Sequence, residues 1–260
     1  MTALLEGQRV SKHFGGLKAV DGVDFQLVEG EILGLIGPNG AGKTTLFSVI
    51  TGSIPATSGR VVLEGRDIAG WPAHRIVRSG ACRTHQIVRP FERLTILENV
   101  VVGILYGRKA GQRPSTMGKG SSEARELLDF VGLGDRAASF PAELTLAGRK
   151  KLEVARALGA GPRVLLLDEV VAGLNPVEAQ AMVELIRSVR DRGTSIIMIE
   201  HVMQAVMGVS DRVMVLDYGT KIAEGTPDQI ARDPKVIEAY LGEEPEEANE
   251  LVDGTESEGA

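Results

Sequence analysis

"EILGLIGPNGAGKTTLFSVITG", residues 31–52, decides the fold. Its first six residues are almost continuously apolar and predict a short buried strand. Residues 37–44, "GPNGAGKT", form a glycine-rich turn, and "TTLFSVI" continues as a helix. The turn fits the pattern G-x-x-x-x-G-K-[ST] in the strand–loop–helix setting that the pattern requires. Gly37, Gly40 and Gly42, with Pro38, Asn39 and Ala41 between them, let the backbone fold tightly. Successive N–H groups and a helix N-terminus then surround phosphate oxygens. Lys43 is placed to reach the β and γ phosphates, Thr44 to give a hydroxyl to Mg²⁺, and Thr45 completes the loop.

Working outward, "VLLLDE" (164–169) is an apolar strand ending in two acids. Asp168 is the candidate for the Mg²⁺ shell, and Glu169 for a general base or water-positioning group near the γ phosphate. These two elements establish nucleotide binding but are shared by many phosphate-loop enzymes. Three weaker signals narrow the job. Gln86 follows a short strand, where its amide could sense Mg²⁺ or water. His201 follows "SIIMIE" and could bond the γ phosphate from a strand end. The stretch "LTLAGRKKLEVARAL" (144–158) opens a helix with Thr145, two small residues and three cations. Its N–H groups could serve a nucleotide held by a second subunit.

The remaining sequence supplies the frame. Runs near 5–10 and 20–27 alternate as edge strands or a hairpin, "RVVLE" (60–64) predicts another strand, and a helix is expected over 72–79. From about 87 to 160 the spacing turns helical, interrupted by "GRKAGQRPSTMGKGSS" (107–122), which reads as a flexible loop. Residues 176–193 form a helix with Pro176 in its first turn and Gly193 past its end. Apolar strands separated by helices argue an α/β core with a largely parallel sheet and an α-helical insertion between its halves. With 43% apolar residues, the 260-residue chain can bury a sizeable core. It has no apolar run long enough to span a bilayer, no secretory-signal pattern, and a single cysteine, Cys82. The net charge of −6 is concentrated in residues 243–260, which hold seven Glu and one Asp with no cation. That acidic segment reads as a disordered tail, and the near-neutral body gives no reason to expect nucleic acid.

Together these residues resemble the ATP-binding cassette family, the ATPase subunits that drive membrane transporters. "GPNGAGKTT" is similar to the phosphate loop, Gln86 to the Q-loop, "LTLAGRKK" to the signature, "VLLLDE" to the second nucleotide motif, "GLNP" (173–176) to the D-loop and His201 to the switch histidine. The resemblance covers residues from about 5 to 242. It implies a phosphate-loop, RecA-like core over residues 1–242, with N-terminal antiparallel strands and the helical subdomain inserted at about 87–160. It also implies ATP and Mg²⁺ as cofactors, with Thr44, Gln86 and Asp168 at the metal and Phe14 stacked on adenine. Lys43, Gln86, Glu169 and His201 carry the chemistry. The softer text "RTHQIVRPFERLTILENV" and "IEHVMQAVMGVSDRVMVLDYGTKIAEG" resembles the ATPase of branched-chain amino-acid importers. That neighbourhood includes importers of other small polar solutes and a lipopolysaccharide-extracting group.

The implied partners are a second ATPase subunit, forming a heterodimer or alternatively a homodimer, transmembrane permease subunits, and indirectly a substrate-binding protein. The implied location is the cytoplasmic face of the membrane. Several positions depart from the family pattern. Ala147 replaces the signature's second glycine and Gly148 its glutamine; Val170 follows the catalytic acid, Val202 the switch histidine, and His85 precedes Gln86. In Ala147 the departure is expected to add a methyl where phosphate approaches, with Thr145 preserving the hydroxyl and Arg149 and the next two cations supplying favourable charge. The alternative readings are a non-hydrolysing or regulatory cassette with a degenerate signature, or an export-type cassette ATPase of the lipopolysaccharide-transport kind.

Overall fold

The computed structural model describes residues 3–84, 90–108 and 110–241; Gln86 and the acidic segment 243–260 lie outside them. In chain order the elements are β1 (Ala3–Phe14), β2 (Leu17–Val28), β3 (Ile32–Ile36), α1 (Lys43–Ile50), β4 (Ser58–Leu63), β5 (Arg66–Asp67), α2 (Ala73–Ser79) and β6 (Ala81–Arg83). Three helices follow: α3 (Ile96–Gly107), α4 (Met117–Phe130) and α5 (Leu146–Gly159). The chain then returns through β7 (Val164–Asp168), α6 (Pro176–Asp191), β8 (Ser195–Ile199), α7 (Met203–Val209), β9 (Arg212–Asp217) and β10 (Thr220–Gly225). It ends on α8 (Pro227–Ala231) and α9 (Pro234–Leu241).

Two sheets result. One is antiparallel, with strand order β2-β1-β4-β5; the other has order β10-β9-β3-β8-β7-β6 and is parallel except at its β10 edge. Every residue of β3, β7 and β8 is buried, the signature of parallel strands covered on both faces. Because side chains alternate along a strand, the parallel sheet divides the core in two. Ile32, Ile36, Leu165, Leu167, Ile196 and Met198 face the helical side, packing with α3, α5, α6 and α7. Leu33, Leu35, Leu166, Ile197 and Ile199 face the other way, toward Leu5, Phe25 and Leu27 of the antiparallel sheet and Phe47 of α1. The molecule is thus three layers, and the predicted α/β core with N-terminal antiparallel strands is what the chain forms.

One expectation needs correction. The stretch 107–122 is not all loop: a short 3-10 turn occupies Ala110–Gln112, and α4 begins at Met117. Two glycines, Gly118 and Gly120, weaken helix propensity there. Thr116 offsets them as an N-cap, its side chain accepting the N–H of Lys119 at 3.3 Å. The three helices α3, α4 and α5 pack on one another between β6 and β7 in chain order. The consequence that matters for function is at the strand ends. Leu35 and Asp168 are both in register with Ile199, so β3, β7 and β8 finish side by side and deliver their following residues to one edge.

Candidate functional site

The loop after β3 is held by backbone bonds on both sides. Ala41 N donates to Pro38 O at 3.1 Å, Gly219 N to Ala41 O at 3.0 Å, and Asp21 N to Gly219 O at 2.8 Å. Gly37 lies at φ +143° and Gly42 at φ +100°. A Cβ at the first would come within 2.0 Å of the Leu216 carbonyl oxygen, and at the second within 2.2 Å of that of Ala19. Torsion and close approach therefore both demand glycine. Gly42 caps α1, and Lys43 opens it. The buried Lys43 ammonium donates to the carbonyl oxygens of Gly37 and, at 2.9 Å, Pro38. The amine is thereby fixed at the loop beside the positive end of α1, while Thr44 is exposed in the first turn.

Asp168 ends β7 fully buried. Its backbone N–H donates to Thr84 Oγ1 at 3.1 Å, and its Oδ2 accepts from Arg83, whose other nitrogen donates to Ser48 Oγ at 3.1 Å. The second carboxylate oxygen, Oδ1, is buried without a hydrogen-bond partner among the described residues. An unpartnered carboxylate oxygen at this strand end is a donor that a hard divalent cation takes, so the residue fits Mg²⁺. Gln86, the third expected metal contact, lies outside the described residues.

Glu169 sits at the next position in the left-handed region, φ +52°. Its amide donates to Ile199 O at 2.9 Å, and its Oε1 is 2.9 Å from His201 Nε2. Phosphate loop, Glu169 and His201 thus converge on one cleft of about 630 Å³, also lined by Phe14, Lys18 and Tyr218, with Asp168 one residue behind Glu169. Phe14 is 49% exposed, with Lys12 Nζ 4.9 Å from its ring centroid. Its ring is therefore available to stack and is not core.

The helix start at 145–148 lies apart from this cleft's lining. Thr145 caps α5, its hydroxyl accepting the Gly148 N–H at 3.2 Å. Two expectations are corrected here. The Ala147 methyl does not stand out toward an approaching phosphate, because Ala147 is buried; the side chain that projects is Leu146, 47% exposed. Nor do all three cations present their charge beside the helix start: Lys150 turns inward, 6% exposed. Gly148 is packed so that a Cβ would lie 3.2 Å from Leu144, which leaves little room for a larger residue. Sequence reasoning missed Arg83, Leu146 and Lys150. For Lys150 a signal existed, since it shares a helix face with Ala147 and Val154 at i, i+3 and i+7 spacing.

A parallel sheet feeding a phosphate loop into a helix, with an unpartnered carboxylate oxygen and a Glu–His pair at the same edge, defines a phosphate-loop nucleotide triphosphatase. The family model "ABC transporter" matches residues 20–172, and a second model, "Branched-chain amino acid ATP-binding cassette transporter", matches residues 220–246. The chain belongs to the ABC transporter family and is one of its ATP-hydrolysing cassettes. It is 41% identical over 250 residues to the high-affinity branched-chain amino acid transport ATP-binding protein LivG of Escherichia coli (strain K12), covering 92% of this chain and 98% of that protein. BraF of Pseudomonas aeruginosa, a high-affinity branched-chain amino acid transport ATP-binding protein, is 39% identical, with the same coverage of each. LptB of Haemophilus influenzae, a lipopolysaccharide export system ATP-binding protein, is 32% identical over 93% of this chain and 98% of its own. Among solved structures, a nucleotide-free ATP-binding cassette from an ABC transporter superposes with a TM-score of 0.84 at 31% identity, covering 93% of this chain and all of that one.

Proposed function

We propose that the chain hydrolyses ATP to drive an importer of branched-chain amino acids or related small polar solutes. The carrying observation is the Glu169–His201 pair, 2.9 Å apart at the mouth of the phosphate-loop cleft. Glu169 orients the attacking water, and His201 holds that water and the γ phosphate in register. Lys43 and the loop 37–45 neutralise and cradle the phosphates, and Phe14 stacks on the base. Thr44, Asp168 and Gln86 hold Mg²⁺, which supplies charge neutralisation at the transferring phosphoryl group when bound. The buried Oδ1 of Asp168 supports that placement.

The signature helix start, with Thr145, Ala147 and Gly148, serves the nucleotide of a second cassette subunit. Two subunits close head to tail and complete each site across the interface. Helices α3–α5, as the inserted subdomain, carry the motion to permease subunits at the cytoplasmic face of the membrane, and a substrate-binding protein presents the cargo. The cargo assignment rests on the match at 220–246 and on the relatives' identities.

Glu169→Gln is the test: nucleotide binding is retained, the closed dimer is trapped, and turnover falls by about a hundredfold or more. Wild-type turnover with rapid nucleotide release in that variant sinks the assignment of Glu169. Uptake of labelled leucine by vesicles holding the assembled transporter tests the cargo.

A further inference from the structure

A lysine that faces inward from the signature helix has no role in the chemistry described so far. Lys150 is buried, and its Nζ donates to the carbonyl oxygens of Glu169 and Ala172, each at 2.6 Å. Glu200, buried between β8 and His201, accepts the N–H of Val171 through Oε1 at 2.6 Å. The turn 169–172 is therefore gripped by two buried side chains, a lysine from α5 and a carboxyl group at the end of β8. Charge-assisted bonds of this length are short and strong, and removing one leaves backbone groups buried without partners. Desolvation lowers the pKa of the Lys150 amine, while the negative charges of Glu200 and Glu169 act to hold it up.

The turn so held is the strained one. Glu169 keeps a left-handed φ that a non-glycine residue maintains only where its surroundings over-determine it. Lys150 supplies one such constraint from three residues beyond Ala147, inside the first two turns of the helix whose N-terminus is offered to a second subunit.

We propose that Lys150 is a positioning residue that ties the start of α5 to the 169–172 turn. The helix end serving the partner's nucleotide and the carboxylate serving this chain's own nucleotide then move as one piece. A shift of the helix start when a γ phosphate engages it is passed directly to the Glu169 peptide. The inference rests on Glu169 being the water-positioning group.

Lys150→Met keeps the length and removes the donor, and Lys150→Arg keeps charge and donors. In the full-length protein, Lys150→Met lowers kcat by at least about tenfold, changes KM for ATP by less than about twofold, and raises hydrogen exchange in the peptide spanning 168–173. Lys150→Arg restores most of the turnover. In the double variant with Thr145→Ala, the loss in kcat is smaller than the product of the single losses, as expected of coupled sites. A Lys150→Met protein with near-native kcat, with unchanged exchange at 168–173, or with kcat and ATP binding falling together and no rescue by arginine overturns the proposal. Multiplicative losses in the double variant also overturn it. Glu169→Gln separates the two levels: an active Glu169→Gln protein defeats the reading of Glu169, whereas a dead one beside an active Lys150→Met defeats the tie alone.

Discussion

The phosphate-loop cleft and the proposed half-site at the start of α5 are built to different standards. The half that holds its own nucleotide is buried and cross-bonded: the loop 37–42 is wedged against Leu216 and Ala19, Asp168 is paired with Arg83, and the 169–172 turn is gripped from two sides. The half proposed to serve a second subunit is a helix start with one side-chain cap, Thr145, and exposed Leu146. The difference teaches what each half depends on. At Gly37 and Gly42 a single methyl collides with backbone. At the helix start the departures at 147 and 148 lie on buried positions, so the outward N–H geometry is set by the cap rather than by those side chains.

Breaking the buried half should have the largest effect. Arg83→Met leaves the Asp168 carboxylate, whose side chain is wholly buried, without its cation. Stability falls by about 3 kcal/mol in denaturant unfolding, and added Mg²⁺ recovers part of the loss because it binds the folded state preferentially. A change well under 1 kcal/mol, insensitive to Mg²⁺, would show that the pair is not structural. Next comes the pH dependence of the grip. Burial, first of all, raises the Glu200 carboxyl from its ordinary 4.5 to about 7, partly countered by the Val171 N–H bond and Lys150. Between those values the folded state keeps a proton that the unfolded chain has released. The stabilising contribution is thus full below about pH 4.5 and is lost as pH rises through about 7. Glu200→Gln keeps an oxygen acceptor for Val171 but removes this component. Its stability relative to wild type should rise with pH by up to about 1.4 kcal/mol per unit across that window. Parallel stability curves would sink the assignment.

On the outer half the effects shrink. Thr145→Ala removes the cap and costs about 1 kcal/mol, with a several-fold drop in turnover and no change in nucleotide affinity of the isolated chain. Ala147→Gly, which the buried methyl makes nearly irrelevant to the exposed face, should move turnover by less than about twofold. A large gain there would mean that the half-site is natively impaired and would reverse the comparison.

Much of the inner half was legible in the sequence because its requirements are local. Glycines at fixed offsets, a lysine and a hydroxyl at the helix start, and acids after an apolar strand are each dictated by covalent geometry or by strand direction. What was illegible depends on packing. Three successive cations look alike in one dimension, yet helical rotation sends Lys150 inward and leaves Arg149 and Lys151 partly exposed. Arg83 reads as an ordinary edge-strand residue until β6 is placed beside β7 and brings it to Asp168. The first turn of α4 was hidden by its glycines and revealed only by the Thr116 bond.

The left-handed torsion of Glu169 has a consequence for how such a chain can change over time. A side chain at φ +52° carries a backbone cost, of order 1 kcal/mol or more, that glycine would not. Replacement by glycine therefore relaxes the fold while abolishing the carboxylate. At this one residue a mutant selected for thermal robustness alone would drift toward losing the proposed water-positioning carboxylate, which on that reading only continued demand for turnover keeps in place.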